Sequence, residues 1–369
     1  MKKILALILA LTMICALGAT AFADEGDMSV AMITDYGDIT DQSFNQTTYE
    51  ACQAYADANG VDFKYYKPTS DSDADRVTSI EQAIDDGYTV IVMPGYAFAN
   101  AIKETAGSGD YDDITFIALD VGAGDLGEDF EVPANLYCAT YQEELCGYMA
   151  GYAAVKLGYT KLGFCGGMAV PAVIRYGYGF VQGADAAAAE IGAEDVELNY
   201  AYANQFFGDA DITAAMDTWY GGGTEIVFAC GGGVYTSVAE AAAKAEGKVI
   251  GVDVDQVGII DGNYGEGMTV TSAMKGLAPT VQTMLAAVQD GLFEQYGGKI
   301  DTLGLVSETP EDNYVQLGAT QWADGFTEED YAALVAAMFN GEIEVSNDTE
   351  AAAADMAATI TVNDQGNIK

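Results

Sequence analysis

Short apolar runs alternate with amphipathic or alanine-rich segments along most of the chain. Each run is about four to eight residues long, which is typical of buried β-strands, whereas the intervening segments have helical spacing. The predicted strands are residues 28–34, 61–66, 88–93, 114–119, 161–165, 196–200, 225–229, 248–252 and 268–272. The predicted helices are residues 43–58, 76–86, 143–157, 174–191, 209–220, 234–246 and 276–290. Nearly continuous apolar strands that alternate with helices indicate parallel sheets covered on both faces. The strands are too many for one comfortable sheet, and 369 residues exceed what one hydrophobic core usually serves, so we predict two α/β domains.

The charge balance and one missing residue type narrow the function. The chain has 57 acidic and 14 basic side chains, a formal net charge of −43. Such a surface repels phosphate backbones and anionic lipids, so we expect no nucleic-acid partner. There is no histidine, which excludes Ser-His-Asp and Cys-His nucleophile systems and HExxH zinc sites. Any catalysis would therefore depend on carboxylates, lysine, tyrosine or cysteine.

The first 23 residues have the pattern of an export signal. Lys2 and Lys3 precede an apolar stretch at residues 4–17, and Ala21–Ala23 fits a small-x-small cleavage site. The apolar stretch is shorter than the roughly 20 residues of a membrane-spanning helix. We predict a cleaved signal and an exported protein, located outside the cell, on its surface or in the periplasm. Cleavage removes two lysines and no acidic residue, so the net charge becomes −45.

The cysteines give no support for a metal site. Lipid attachment at Cys15 is the alternative to simple cleavage, but the preceding Ile14 is not the small residue expected there, so we do not expect an anchor at this position. The five remaining cysteines are an odd number and contain no CxxC pair. Cys165 and Cys230 end apolar runs, which indicates buried small hydrophobic residues. We expect neither a disulfide framework nor a bound cofactor.

Polar residues and glycines follow several predicted strands. Asp35, Asp120 and Asp253 each follow a strand, Lys275 follows another, and glycines follow the strands that end at residues 165 and 229. Ligands of open α/β sheets bind beyond the carboxyl ends of the strands, where such residues meet. The alternative is that aspartate and glycine are simply common in loops and helix caps. The pair Glu143-Glu144 is interpreted as charge in the first turn of a helix, because adjacent helix positions do not face each other.

The sequence also resembles the basic membrane protein family, the purine-nucleoside-receptor-like substrate-binding lipoproteins of ABC transporters. The resemblance begins at ITDYGDITDQSFNQ (33–46) and continues through YQEELCGYMAGYAA (141–154) and LGFCGGMAVPAVIRYGYGFVQGA (162–184). It extends to ACGGGVYTSVAEAA (229–242), VIGVDVDQ (249–256) and TSAMKG (271–276). These segments span nearly the whole exported chain in the order of the family.

The resemblance implies a type I periplasmic-binding-protein architecture of two Rossmann-like lobes with three crossings between them. After the signal peptide (1–23), we expect the N-terminal lobe to comprise residues 24–139 and about 256–308. We expect the C-terminal lobe to comprise residues 140–255 and about 309–345, followed by a C-terminal tail at 346–369.

The resemblance further implies a nucleoside, with a purine nucleoside favoured, bound between the lobes by clamshell closure. The implied contacts are Phe44 and Asn45 to the base, Asp120 to the base edge, Asp253 and Lys275 to the ribose, Asp35 in the first loop, and Phe206, rather than Phe207, as the second stacking ring. It implies the permease and ATPase subunits of an importer as partners. We expect a monomer and no enzymatic activity.

Two other functions remain open from the residues alone. An exported hydrolase of nucleosides or glycosides would need two carboxylates across the scissile bond. A ligand-sensing surface protein could use the same fold without a transporter. Release of free base from a nucleoside would identify the first, and the absence of neighbouring permease and ATPase genes would favour the second.

Overall fold

The described part of the protein, residues 28–369 of a computed structural model, contains thirteen strands and eleven α-helices. The predicted signal peptide and Cys15 lie outside the described residues. The strands are β1 Ser29–Ile33, β2 Asp62–Tyr66, β3 Val90–Pro94, β4 Thr115–Leu119, β5 Leu136–Tyr141, β6 Lys161–Gly166, β7 Glu197–Tyr202, β8 Ile226–Cys230, β9 Lys248–Asp253, β10 Thr269–Lys275, β11 Lys299–Leu303, β12 Val315–Leu317 and β13 Thr361–Asn367. The helices are α1 Phe44–Asn59, α2 Asp73–Asp85, α3 Ala99–Glu104, α4 Ala123–Leu126, α5 Glu143–Lys156, α6 Pro171–Ile191, α7 Ala210–Gly221, α8 Tyr235–Ala245, α9 Val257–Tyr264, α10 Leu277–Gln289 and α11 Glu328–Phe339.

Two sheets form the centres of two lobes. The first sheet has the strand order β11-β5-β4-β3-β1-β2, and every pair of neighbouring strands in it is parallel. The second has the order β12-β10-β9-β8-β6-β7-β13, in which only β12 runs antiparallel to its neighbour. The central strands β3 and β8 are buried along their whole length. This burial explains their continuous apolar runs, and the mixed α/β class predicted from those runs is confirmed.

The chain crosses between the lobes three times. It leaves the first sheet after β5, returns after β10 so that α10 packs against α1 and β11 joins β5, and crosses again between β11 and β12. The predicted number of crossings is therefore confirmed. The crossings place the start of α5, the end of β10 and the segment after β11 side by side at the hinge.

Two parts of the expected lobe boundaries differ from the structure. Residues 256–275 were assigned to the first lobe, but β10 pairs with β9 and β12 in the second sheet, so that the crossing follows Lys275 instead of preceding α9. The segment 346–369 was assigned to a tail, but it carries β13, which pairs with β7 at the edge of the second sheet. Both differences arise because strand pairing depends on partners far away in the sequence.

The helices α5 and α6 pack with their backbones in close contact. A β-carbon at Gly147 or Gly151 of α5 would clash with backbone carbonyls of α6, and one at Gly179 or Gly183 would clash with carbonyls of α5. Only glycine permits this approach, because the positions have no room for a methyl group. This packing rigidly joins the start of α5 at the hinge to α6, whose first turns border the cleft.

The predicted burial of Cys165 and Cys230 agrees with the structure. All five cysteines among the described residues are buried and free. Cys165, the next-to-last residue of β6, is 0% exposed, and Cys230, the last residue of β8, is 1% exposed. Within residues 28–369, no helix combines the length and apolar character required to cross a bilayer.

Candidate functional site

A cavity of about 820 Å³ lies between the lobes at the carboxyl ends of the parallel strands. Its volume is within the range typical of small-molecule sites. The sequence-predicted residues lining it are Asp35, Phe44, Asn45, Asp120, Phe206, Asp253 and Lys275. The structure thus brings together all seven residues implied by the family resemblance, from segments up to 240 residues apart in sequence.

Two of the aspartates have unusual backbone conformations. Asp120 follows β4 with φ 55°, and Asp253 ends β9 with φ 65°. Left-handed conformations are uncommon for residues other than glycine and cost free energy. Each conformation turns the chain directly after a buried strand, and both carboxylates reach the same cation. Such strain concentrates at functional sites, and here it coincides with the cavity wall.

Lys275 is the central charge of the site. Its side chain is 3% exposed, and Nζ lies 2.5 Å from Asp120 Oδ2, 3.5 Å from Glu143 Oε1 and 3.6 Å from Asp253 Oδ1. Burial alone would lower the pKa of Lys275, but the nearby carboxylates raise it above its ordinary value. The ammonium group also lies within 6 Å of three aromatic ring centres, those of Phe44, Tyr141 and Tyr176. The cation therefore organises carboxylates from both lobes around one point.

A second charged group supports this cluster from the hinge. Glu143 is fully buried at the first position of α5, and its Oε2 accepts a 2.7 Å hydrogen bond from Arg175 Nε. Glu144 is 3% exposed and lies 3.9 Å from the same guanidinium. Burial raises the pKa of Glu143, and it raises the pKa of Glu144 to about 7. The two residues do occupy the first turn of α5 as predicted, but they are buried partners of Arg175 and Lys275 and not merely charges that favour the helix start.

The three phenylalanine side chains that line the cavity differ in how closely they pack against the protein. Phe44 is half-buried at the start of α1 and lines the cavity. Phe206 packs over Gly167 and Gly231, where a β-carbon would clash with its ring. Phe207 also lines the cavity but is 61% exposed. Close packing against these two glycines holds the Phe206 ring in place at the cavity wall, which favours Phe206 over Phe207 as a stacking surface.

The first loop supplies the polar groups beside Phe44. Asp35 Oδ1 accepts hydrogen bonds from the backbone N–H groups of Tyr36 and Gly37, at 2.5 and 2.6 Å. Burial raises the pKa of Asp35, although these two hydrogen bonds oppose the rise. Asn45 is 4% exposed and donates to Asp41, but its Oδ1 has no hydrogen-bond partner among residues 28–369. Buried polar atoms without partners are rare and costly, which points to a ligand that supplies a donor.

Three other polar residues near the cavity have unpartnered atoms. Asp120 Oδ1 and the Tyr176 hydroxyl are buried and lack hydrogen-bond partners in the described part of the chain, and both residues line the cavity. Glu143 Oε1, although close to Lys275, makes no hydrogen bond of good geometry. A bound molecule carrying hydroxyl and amino groups would satisfy the two atoms on the cavity-lining residues, Asp120 Oδ1 and the Tyr176 hydroxyl.

Contacts across the cleft join the two lobes. Ser43, the residue directly before Phe44, donates a 2.6 Å hydrogen bond from its Oγ to Asp253 Oδ2. The hydroxyls of Tyr36 and Tyr96 in the first lobe lie 3.6 and 3.8 Å from Met168 Sδ in the second. These contacts describe a conformation in which the lobes touch on more than one side of the cavity.

Several residues of the site were not identified from the sequence. Ser43 and Tyr36 both lie within the recognised segment 33–46, directly before Phe44 and directly after Asp35. Arg175 is one of only two arginines in the chain, and it is the one charged residue in the first half of its predicted helix, which is a signal for a functional role. The partnership of Arg175 with Glu143 had no such signal, because these residues meet only through the close packing of α5 and α6. Among residues 28–369, no group of three or more acidic or cysteine side chains is arranged to hold a metal ion.

Comparison with known proteins gives a family and several relatives. The sequence profile of the family described as "ABC transporter substrate-binding protein PnrA-like" matches residues 28–340. The chain is similar to the ABC transporter nucleoside-binding protein BmpA of Lactococcus lactis, with 29% identity over 296 residues that cover 76% of this chain and 79% of that protein. It is also similar to basic membrane protein B of Borreliella burgdorferi, with 26% identity over 284 residues that cover 75% and 78% of the two chains. These matches confirm the resemblance predicted from the sequence segments.

Solved structures support the architecture. A solute-binding protein of an ABC transporter from Aeropyrum pernix K1 superimposes with a TM-score of 0.65 at 21% identity, covering 89% of this chain and 90% of that one. One from Conexibacter woesei has a TM-score of 0.64 at 21% identity, covering 87% and 99%. At this identity the likeness concerns the fold alone, and it agrees with the type I arrangement of two sheets and three crossings.

Proposed function

The chain belongs to the PnrA-like family of ABC transporter substrate-binding proteins, and on that premise we propose that it captures a nucleoside, with a purine nucleoside favoured, in the cleft between its lobes. The observation that carries the proposal is the pairing of Phe44 with unpartnered, buried acceptor atoms on Asn45 and Asp120. A nucleoside has a flat base that stacks on an aromatic ring, together with amino and hydroxyl donors. Stacking on an aromatic side chain contributes about 1–3 kcal/mol per base.

The charges of the cleft favour a neutral ligand. Lys275 is already surrounded by Asp120, Asp253 and Glu143, and Arg175 is held by Glu143 and Glu144. A phosphate group would add negative charge to a site whose three lining cations, Lys67, Arg175 and Lys275, are each already paired with a carboxylate. Ribose hydroxyls, in contrast, donate charge-assisted hydrogen bonds to carboxylates. The proposal therefore concerns nucleosides and not nucleotides.

We infer that the bound nucleoside is delivered to the permease and ATPase subunits of an importer, with the protein acting as an exported monomer. Ligand stabilises the closed arrangement because only that arrangement contacts the ligand from both lobes. A nucleoside has about 19 heavy atoms, and roughly −0.4 to −0.5 kcal/mol per atom corresponds to a dissociation constant between about 3 µM and about 0.1 µM. Such an affinity suits capture of a scarce solute.

Calorimetric titration of the exported chain with nucleosides, free bases, sugars and amino acids tests the proposal. We expect heat of binding with nucleosides and none with the other classes. Phe44→Ala should weaken nucleoside binding by about 1–3 kcal/mol, because it removes one stacking face. Phe63→Ala is the matched control, since Phe63 packs against Tyr49 outside the cavity.

Three results would contradict the proposal. If no nucleoside binds, the ligand class is wrong. If Phe44→Ala binds as tightly as Phe63→Ala, then Phe44 only packs against the core. If free base accumulates during incubation with a nucleoside, the protein is a hydrolase and not a binding protein.

A further inference from the structure

The last 24 residues form part of the second lobe, and the family profile does not reach them. The profile ends at residue 340, whereas the chain continues to residue 369. We call residues 346–369 the C-terminal strap. The strap is not a loose tail, since Ala353 and Ile360 are 2% and 8% exposed and belong to the same hydrophobic core as α6.

The strap is fixed to α6 by hydrogen bonds along its length. The main chain of Ser346 exchanges two hydrogen bonds with the Gln182 side chain, at 3.0 and 2.8 Å. The Tyr178 hydroxyl donates to the Ala351 carbonyl at 2.7 Å. Asp185 Oδ1 accepts from three consecutive backbone N–H groups at residues 358–360.

The end of the strap is fixed to the sheet and to α7. Strand β13 pairs with β7, and Trp219 Nε1 donates a 3.0 Å hydrogen bond to Gln365. Lys369 forms an ion pair with Asp209, the residue that caps α7. All of these partners belong to the second lobe, so the strap moves with that lobe when the cleft opens or closes.

This attachment brings two strap residues, Thr349 and Glu350, to the wall of the ligand cavity. Tyr178, which holds the adjacent Ala351, lies one helical turn from Arg175, and residues three apart share a helix face. Glu350 adjoins Ala351 and lines the same cavity as Pro171, Arg175 and Tyr176 in the first turns of α6. Within residues 28–369, its side chain makes neither a hydrogen bond nor an ion pair, whereas Arg175 is already paired with Glu143.

We propose that Glu350 is a specificity-determining residue, which makes the α6 end of the cleft negative and selects neutral nucleosides over nucleosides that carry a phosphate at that end. The inference rests on the proposed function, since it concerns the ligand bound in the same cavity. The position lies beyond the residues that the family profile matches. Its effect is moderate in size, as Glu350 is exposed to solvent and its field is screened by salt.

Charge reversal at Glu350 tests this inference. The affinities for a purine nucleoside and for its 5′-monophosphate are measured by calorimetry for the wild type, Glu350→Lys and Glu344→Lys. Glu344 is an exposed glutamate shortly before the strap and outside the cavity, so its reversal changes the net charge equally. We expect Glu350→Lys to shift the affinity ratio toward the monophosphate by about three- to tenfold at low salt, and Glu344→Lys to shift it by less than about twofold. The shift in the affinity ratio should be smaller in 0.5 M salt, because the Debye length there is below about 5 Å and the charge of residue 350 is screened from the ligand.

A second variant separates the strap from the charge itself. Tyr178→Phe removes the hydrogen bond to Ala351 without changing any charge or any residue of the cavity wall. It should shift the ratio in the same direction as Glu350→Lys but less, and Tyr152→Phe, whose hydroxyl binds Glu190 elsewhere, should not. Equal ratios for Glu350→Lys and Glu344→Lys would overturn this inference while leaving nucleoside binding intact. Failure of the wild type to bind any nucleoside would instead overturn the proposed function.

Discussion

Replacing Lys275 by methionine should destabilise the protein far more than replacing a surface lysine. Lys275 is the common partner of Asp120, Asp253 and Glu143, and its side chain is 3% exposed. Methionine has a similar length but no charge, so the variant leaves several carboxylates buried without their cation. Removing one member of a buried charged group typically costs about 3–5 kcal/mol. We therefore expect the free energy of unfolding to fall by about 3–5 kcal/mol at pH 8.

The control is Lys244→Met. Lys244 also contacts two carboxylates, those of Asp217 and Glu240, but its side chain is 50% exposed. Water and salt screen such pairs, which contribute about 0–1 kcal/mol. Urea unfolding of the wild type and both variants without ligand gives the two losses directly. The contrast between them isolates burial, because both substitutions remove one positive charge.

The pH dependence gives a further check on the same variant. Burial raises the pKa values of Glu143 and Asp253 above their ordinary values, and the charge of Lys275 opposes that rise, so its removal should raise both pKa values further. A carboxyl group with a raised folded-state pKa costs stability above its ordinary pKa, and the cost is relieved as the pH falls toward that value. The loss caused by Lys275→Met should therefore be smaller at pH 5 than at pH 8. If Lys275→Met loses no more than Lys244→Met, or if its loss grows as the pH falls, the electrostatic account of the cluster is wrong.

Three other substitutions test the hinge and the cleft. Asp253→Ala removes the partner of Ser43 and Lys275 and should weaken nucleoside binding by about 1.5–3 kcal/mol. Small-angle scattering should show this variant contracting only at a much higher nucleoside concentration than the wild type. A wild type that does not contract at saturating nucleoside would refute clamshell closure. Burial raises the pKa of Glu144 from an ordinary 4.5 to about 7, so its ionisation destabilises the fold as the pH rises through that interval. Glu144→Gln should therefore gain stability relative to the wild type between pH 4.5 and pH 8, by up to about 3 kcal/mol in urea unfolding, and a constant difference would contradict this reasoning. Gly151→Ala should lower the free energy of unfolding by about 1–3 kcal/mol, because a methyl group there meets the Phe180 carbonyl of α6. Gly221→Ala is the control, since a methyl group at this position at the end of α7 meets no neighbouring atom.

The amino-acid sequence alone determined much of the alternation of strands and helices, although β5, which is largely buried, was not among the predicted strands. The predicted strand at 114–119 corresponds to β4, and the one at 248–252 corresponds to β9, because strands covered on both faces need uninterrupted apolar residues. The strands β11 and β13 were not predicted, since most of their residues are exposed or only partly buried and carry no apolar run. The position of each aspartate directly after a buried strand was also visible in the sequence. Because the strands that they follow run parallel to their neighbours, these residues meet at the edge formed by the carboxyl ends of the strands.

Only the tertiary structure decided which groups become partners. Lys275 lies in the second lobe because β10 pairs with β9, and its charge is shared with carboxylates that reach it across the cleft and from the hinge. Glu143 was interpreted as a helix-start charge, and its burial against Arg175 depends on glycines that let α5 and α6 approach closely. The strap is the clearest case: its last residues look polar and featureless in sequence, and they become a strand and a cavity wall only through hydrogen bonds to α6 and β7. Such pairings depend on distances between segments remote in sequence, which no local pattern of apolar and polar residues records.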